Sequence, residues 1–144
     1  MKKIIVIILN MIFIIGCKKY EEGPTISLAT KQSRLINTWI LERMYINNIE
    51  QTLCPEDRES YLEIKKRGKC TYTLVKNGQA TSYTGIWDLD NKKKYLTIMT
   101  VMFLCGKPFY NAPTFKILRL KNDELRLEKE ENGKTYKLYY VTKK

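Results

Sequence analysis

The chain has 144 residues, with 26 Lys and Arg against 15 Asp and Glu and no His, which gives a formal net charge of +11. Without His, Ser-His-Asp and Cys-His catalysis are excluded and the commonest metal ligand is missing. No Gly-rich phosphate loop precedes a helix-forming segment. We therefore expect a protein that is not an enzyme and that uses no cofactor.

The first predicted element is a secretory signal peptide. Lys2 and Lys3 precede an apolar run from Ile4 to Ile15, and the small residue Gly16 follows it. The run is shorter than the roughly 20 apolar residues that span a bilayer. A charged start, a short apolar middle and a small residue at the end are typical of such signals. We expect residues 1–16 to be removed, the alternative being an uncleaved anchor helix.

The end of this run resembles the lipobox of bacterial lipoproteins. Ile14-Ile15-Gly16-Cys17 stands where those proteins are cut before a Cys that carries lipid on its sulfur and its new amino terminus. The resemblance implies that Cys17 is the lipid-attachment site and the first mature residue. Several acyl chains on one Cys give stable anchoring, so the expected location is the cell envelope, at the outer membrane.

Residues 17–32 are predicted to form a flexible tether, because they are polar, contain Gly23-Pro24 and show no sustained period. Within them, Lys18-Lys19-Tyr20-Glu21-Glu22 resembles the export tag of surface-displayed lipoproteins in some Gram-negative bacteria. The alternative is a solvated linker. The sequence therefore leaves open whether the protein lies on the inner or the outer face of the membrane.

The positive charge predicts an anionic neighbour. Loss of Lys2 and Lys3 leaves 24 basic against 15 acidic residues, a net charge near +9. The basic residues are spread through predicted turns, and no nucleic-acid motif accompanies them. We expect a membrane or glycolipid surface, and as further partners an envelope protein or a glycan, but no nucleic acid.

Residues 33–144 are predicted to form one all-β domain. Apolar and polar residues alternate in about eight or nine segments, separated by turn signals such as Asn77-Gly78 and Asn132-Gly133. Asn-Gly suits the tight turn of a β-hairpin. With only Pro55 to Ser60 as a possible helical turn, the pattern predicts an antiparallel up-and-down β-barrel, in which closure removes the strand edges. A β-sandwich or an open curved sheet is the alternative.

One face of the predicted strands is apolar, because side chains two residues apart lie on the same side of a strand. Large side chains dominate this face, which predicts a barrel filled by its own residues. Carboxylates of the kind a glycosidase needs, such as Glu42, Glu63 and Asp88, fall on the opposite face. The predicted interior comprises Trp39, Leu41, Tyr72, Leu74, Trp87, Leu89, Ile98, Phe115, Ile117, Leu125, Leu127, Tyr136, Leu138 and Tyr140.

Three segments are similar, in order, to the lipocalin-like domains of small bacterial lipoproteins. They are LINTWIL, YTGIWDLDNKKKYLTI and FKILRLKNDELRLE, and the resemblance covers Leu35 to Val141. It implies a barrel with one of two functions. Either the protein is a non-catalytic interaction or structural module that acts through its loops, or it binds a small hydrophobic ligand inside the barrel.

The loop from Leu104 to Pro113 is longer than a hairpin needs, and long loops are often functional. Candidate contacts for a partner are Phe103, which directly precedes the loop, and Phe109 and Tyr110 within it. The alternative is that these aromatics cap the barrel floor.

Three cysteines besides Cys17 would reach an oxidising compartment, where disulfides form. Counting strands up and down puts Cys54 and Cys105 at one end of the barrel and Cys70 near the other. Cys54 and Cys105 are therefore the predicted disulfide pair, and the alternative is that all three are reduced.

The lipoprotein hypothesis predicts the mass of the mature protein. Mass spectrometry of protein extracted from membranes should show loss of residues 1–16 and a gain from acyl chains on Cys17. A soluble protein that retains Met1 to Gly16 would rule the hypothesis out.

Overall fold

A computed structural model describes residues 29–109 and 113–144, so the predicted signal peptide, Cys17, nearly all of the tether and Tyr110 lie outside the described residues. The described part contains two helices, α1 (Lys31–Leu35) and α2 (Pro55–Glu59). It also contains the strands β1 (Asn37–Ile46), β2 (Ile49–Gln51), β3 (Tyr61–Ile64), β4 (Lys69–Lys76), β5 (Gln79–Leu89), β6 (Tyr95–Met99), β7 (Met102–Leu104), β8 (Lys107–Phe109), β9 (Thr114–Leu120), β10 (Glu124–Glu131) and β11 (Lys134–Thr142).

Eight strands close into an antiparallel barrel, which confirms the predicted fold class. Their order is β1, β3, β4, β5, β6, β9, β10 and β11, and β11 pairs back onto β1. The ninth strand of the same sheet, β2, forms a short hairpin with the last residues of β1. Because the ring is closed, the alternatives of an open curved sheet and a sandwich are wrong for this chain.

The Asn-Gly turns explain why the strands pair in this register. Asn77 and Gly78 have φ values of 53° and 74°, the positive values that a tight hairpin turn requires at both central positions. They join β4 to β5 with Lys76 opposite Gln79. The Asn132-Gly133 turn joins β10 to β11 in the same way.

The two ends of the barrel carry different connections. We call the end with the β3–β4, β5–β6 and β9–β10 turns the α1 end, because α1 crosses it. Leu35 of α1 is fully buried, and its carbonyl accepts a hydrogen bond from the Trp39 indole N–H at 2.9 Å. Lys31 donates to the Lys93 carbonyl in the β5–β6 turn at 2.9 Å, and Arg34 donates to the Leu120 carbonyl at the end of β9 at 2.6 Å. The helix therefore closes this end of the barrel.

Helix α1 corrects two predictions: that the tether continues through Gln32, and that no helix precedes β1. The Thr30 side chain accepts a hydrogen bond from the Ser33 N–H at 3.1 Å, which caps the helix start. Five residues are too few to show a helical period in the sequence. The helix is held instead by packing of Leu35 into the barrel.

The opposite end, which we call the α2 end, is crossed by the β7–β8 hairpin. The predicted long loop from Leu104 to Pro113 therefore contains regular structure, with Cys105 and Gly106 at positive φ in the turn. After Met99 the chain leaves the barrel wall and passes close over Gly85, where an added Cβ would clash with the Met99 carbonyl oxygen. The absence of a side chain at Gly85 leaves room for this close approach.

Most of the predicted interior lies in the core. The exceptions are Leu74, Leu89 and Tyr136, which are half-buried, and the first two pack against the core from strand ends. Trp39 and Phe115 are fully buried. The buried members are Trp39, Leu41, Tyr72, Trp87, Ile98, Phe115, Ile117, Leu125, Leu127, Leu138 and Tyr140.

Replacing Gly85 by Ala tests the close approach of the chain at Met99 to Gly85. The new methyl group must displace the backbone at Met99, so we expect Gly85→Ala to lower the free energy of unfolding by about 1–3 kcal/mol, as overpacking does. The neighbouring exposed change Thr84→Ala should cost no more than about 0.5 kcal/mol. Urea unfolding followed by Trp fluorescence measures the free energy of unfolding of both variants. Equal losses in the two variants would contradict the close approach at Gly85.

Candidate functional site

The barrel interior is the first candidate site, and the hollow described within it is very small. A cavity of about 10 Å³ lies between Trp39, Tyr72 and Tyr140. This is at the limit for a single water molecule, whereas ordinary ligand pockets begin near ~300 Å³. This hollow is therefore far smaller than a site for a small hydrophobic ligand.

Two larger hollows are open clefts on the outside of the barrel, on either side of β1. One, of about 570 Å³, lies between β1 and the segment that links β2 to α2. The other, of about 490 Å³, lies over β10 and β11 and is lined by Arg43, Arg126 and Tyr139 among others. Arg126 stacks on the Tyr139 ring at 4.6 Å. Both clefts are charged surface features.

An aromatic cluster fills the α2 end. Phe103 of β7 stacks on Tyr72 and contacts Tyr83, with ring centroids 6.2 and 5.2 Å apart. The Tyr72 hydroxyl donates to the Phe103 carbonyl at 3.1 Å. Burial raises the pKa of Tyr72 to about 12, so it stays a neutral donor at physiological pH. Burial also raises the pKa of Tyr140, so the interior carries two uncharged phenols.

Of the three predicted contact residues, Phe103 therefore packs into the floor of the barrel, which is the alternative that the sequence left open. Phe109 lies in β8 opposite Met102, and its side chain is outside the description. Tyr110 lies outside the described residues. Phe103 thus packs against the core and is not an exposed loop contact.

The disulfide between Cys54 and Cys105 joins the hairpin to the start of α2, as strand counting predicted. The Cα atoms are 5.3 Å apart, and the bridge closes a sequence separation of 51 residues. Beside it, the buried carboxylate of Asp57 accepts a hydrogen bond from the Cys105 N–H at 2.9 Å. Burial raises the pKa of Asp57, while this hydrogen bond opposes the rise. The hairpin is therefore held by a covalent bond and a buried polar contact.

Cys54, Asp57 and Cys105 are also the described cluster that most resembles a metal site. Thiolates are the form of Cys that binds metal, and both sulfurs are joined in the disulfide. While the bridge is formed, one carboxylate is left as a ligand. The cluster is therefore better described as a structural disulfide beside a buried carboxylate than as a metal centre.

The charge distribution is the feature that sequence reasoning missed. Among described residues, nine exposed cations lie at the α1 end against two exposed carboxylates, Asp88 and Asp123. The α2 end has four exposed cations against three exposed carboxylates. The nine are Lys65, Lys66, Arg67, Lys69, Lys92, Lys93, Lys94, Lys143 and Lys144, and we call them the basic end face.

Carboxylates near the basic end face are largely occupied by local contacts. The Asp90 carboxylate accepts hydrogen bonds from the backbone N–H groups of Tyr95, Lys94 and Lys92 at 2.7, 2.6 and 3.1 Å, and these bonds lower its pKa. Glu124 pairs with Arg119 at 2.6 Å and with two further cations. Strand parity could have found this face, because alternate hairpin turns lie at the same end of a barrel.

Comparison with known proteins adds no function to this geometry. No protein-family model matches the chain, and the comparison with curated proteins finds no match. In the described part of the chain, neither helix is long and apolar enough to cross a membrane. The functional conclusion must therefore rest on the residues themselves.

The contribution of the Cys54–Cys105 disulfide to stability can be tested by removing it. We expect the double change Cys54→Ser and Cys105→Ser to lower the free energy of unfolding by about 2–4 kcal/mol, the usual effect of opening a loop of this size. Chemical unfolding of both proteins measures the difference. A stability equal to that of the unchanged protein would show that the hairpin does not depend on the bridge.

Cys70 provides a second check on the cysteines. It is buried, and burial raises the pKa of its thiol to about 11, so at pH 8 it should be neutral and unreactive. Iodoacetamide should therefore modify Cys70 only after unfolding, as seen by peptide mass mapping without reduction. Labelling of Cys54 or Cys105 in that map would contradict the assigned pair.

Proposed function

We propose that this protein is a lipid-anchored, non-catalytic interaction module of the bacterial cell envelope, built on a lipocalin-like barrel. The filled interior is the observation that supports this choice over a carrier. The barrel is closed by α1 at one end and by the β7–β8 hairpin at the other. The hollow between Trp39, Tyr72 and Tyr140 measures about 10 Å³. A rigid, filled barrel is suited to presenting an outer surface to a partner.

The anchor part of the proposal rests on sequence. Lys2 and Lys3, the apolar run and Gly16-Cys17 have the order of a lipoprotein signal. A chain attached through Cys17 would sit on the outer membrane, on either face. Since Cys17 precedes α1 by a short segment, the attachment approaches the barrel from its α1 end.

The β5 strand supplies the surface that best fits a partner. From Gln79 to Thr84 it pairs with β4 on one side, while β6 pairs only with Ile86 to Leu89. Within the described residues, no strand pairs with the other side of this segment, which contains no charged residue. Uncharged strand edges readily accept another strand. The partner would be an extended segment of an envelope protein.

Photo-crosslinking tests this function. A photoreactive residue at the exposed Ala80 should give a discrete crosslinked protein in intact envelopes, and one at the exposed Tyr95, on β6, should not. A second change, Thr84→Lys, should abolish the Ala80 product by charging the edge. Equal products from both positions, or products with glycan alone, would contradict binding of a protein strand at this edge.

The carrier alternative is tested on the same purified protein. Native mass spectrometry should show the mature chain with its covalent acyl groups and without a second bound molecule. An apolar molecule that leaves only on unfolding would overturn the proposal and restore the carrier.

A further inference from the structure

We propose that the basic end face docks onto the anionic phospholipid headgroups of the membrane to which the protein is anchored. The barrel would then stand with α1 toward the bilayer and the α2 end and the β5 edge outward. The nearness of the bilayer rests on the proposed lipid anchor, whereas the docking surface itself is argued from the described residues.

The basic end face is a fixed platform. The Lys65 carbonyl accepts a hydrogen bond from the Trp87 indole N–H at 2.8 Å, which joins the β3–β4 turn to β5. The Lys143 N–H donates to the Thr38 carbonyl at 2.9 Å, so the last residues stay at the same end. Lys143 also lies over the Tyr61 ring at 3.8 Å. These contacts hold the backbone of the basic end face in place.

Four of the cations in the turns of the basic end face form no described ion pair. In the described part of the chain, no ion pair involves Lys66, Arg67, Lys92 or Lys94. Binding of an anionic headgroup to them would break no internal salt bridge. By contrast, Lys65 at the base of its turn pairs with Glu63 at 3.4 Å. The four unpaired cations are the side chains that a flat anionic surface would meet first.

The length of chain before α1 allows this orientation. Ala29 is twelve residues after Cys17, and a fully extended chain of that length spans at most about 40 Å. The strand β11, nine residues long, covers about 30 Å from one end of the barrel to the other. The chain enters the barrel at the α1 end and is long enough for the basic end face to lie against the bilayer.

The physical chemistry of the attraction sets its size and range. Each Lys or Arg beside an anionic leaflet strengthens binding by about fivefold. The effect decays within about 8–10 Å at ordinary salt, so it requires the basic end face to lie against the headgroups. The α2 end, with nearly equal numbers of exposed cations and carboxylates, gains little from either orientation.

Hydrogen exchange on vesicles tests the docking. The full mature chain would be reconstituted on phosphatidylcholine vesicles with or without about a third of phosphatidylglycerol. Amide exchange would be followed in the turns at residues 65–69 and 91–95, and at residues 76–79 and 132–134 of the α2 end. Flotation of the same samples reports attachment, and near-identical circular dichroism and melting curves confirm that each variant folds.

Two matched variants separate docking from general attraction. One carries Lys66→Glu, Arg67→Glu, Lys92→Glu and Lys94→Glu on the basic end face. The other carries the same number of reversals among the exposed cations of the α2 end, so both have the same net charge. Its changes are Arg58→Glu, Lys76→Glu, Lys107→Glu and Lys134→Glu.

We expect exchange in the turns of the basic end face to slow severalfold on the anionic vesicles and not on the neutral ones. The slowing should vanish in the first variant and at about 0.5 M salt, where screening is strong, and persist in the second variant. Flotation on both vesicle types without protection of these turns would overturn the docking and leave the anchor intact.

Other outcomes are equally decisive. If the protein floats only with anionic vesicles and the turns are protected, docking is supported and the lipid anchor is overturned. If it floats with neither type of vesicle, both proposals are overturned. Equal loss of protection in the two variants would show general charge attraction and overturn the docking. Equal protection by soluble polyphosphate without vesicles would show a polyanion site and overturn the lipid assignment.

Discussion

The width of an eight-stranded barrel is the constraint on which the rest of this structure depends, because it leaves room for either side chains or one small ligand. Here the chain's own residues take the room. Trp39 and Phe115 are fully buried, and Phe103 completes the packing from the end. A barrel filled in this way has a stable wall, which favours the proposed function at its outer surface.

The inward turn over Gly85 connects the filled interior with the outer surface. Once the chain leaves β6 at Met99 to form the β7–β8 hairpin, the first half of β5 loses the neighbour that a regular barrel would give it. The Cys54–Cys105 disulfide joins the β7–β8 hairpin to the start of α2. The same departure that closes the α2 end thus exposes an uncharged strand edge, while the nine cations of the basic end face gather at the other end.

Alternating apolar residues and Asn-Gly turns were enough to predict the barrel and most of its interior, because both signals are local. Helix α1 escaped prediction since its five residues depend on burial of Leu35 in a core formed by distant strands. The β7–β8 hairpin shows no alternation, and it is joined by the disulfide to a residue 51 positions away in the sequence. The basic end face was visible in the sequence only as scattered turns, because its clustering arises from strand parity.

Xenon binding is the most direct measurement of whether the interior is filled. Xenon enters dry apolar cavities, so methyl NMR spectra of the folded chain under xenon pressure report any hidden volume. The account predicts no saturable shifts for Leu62, Ile98 or Leu125, and saturable shifts in a Leu125→Ala variant, in which a cavity has been made. Saturable shifts of these methyl groups in the unchanged protein would contradict the filled barrel.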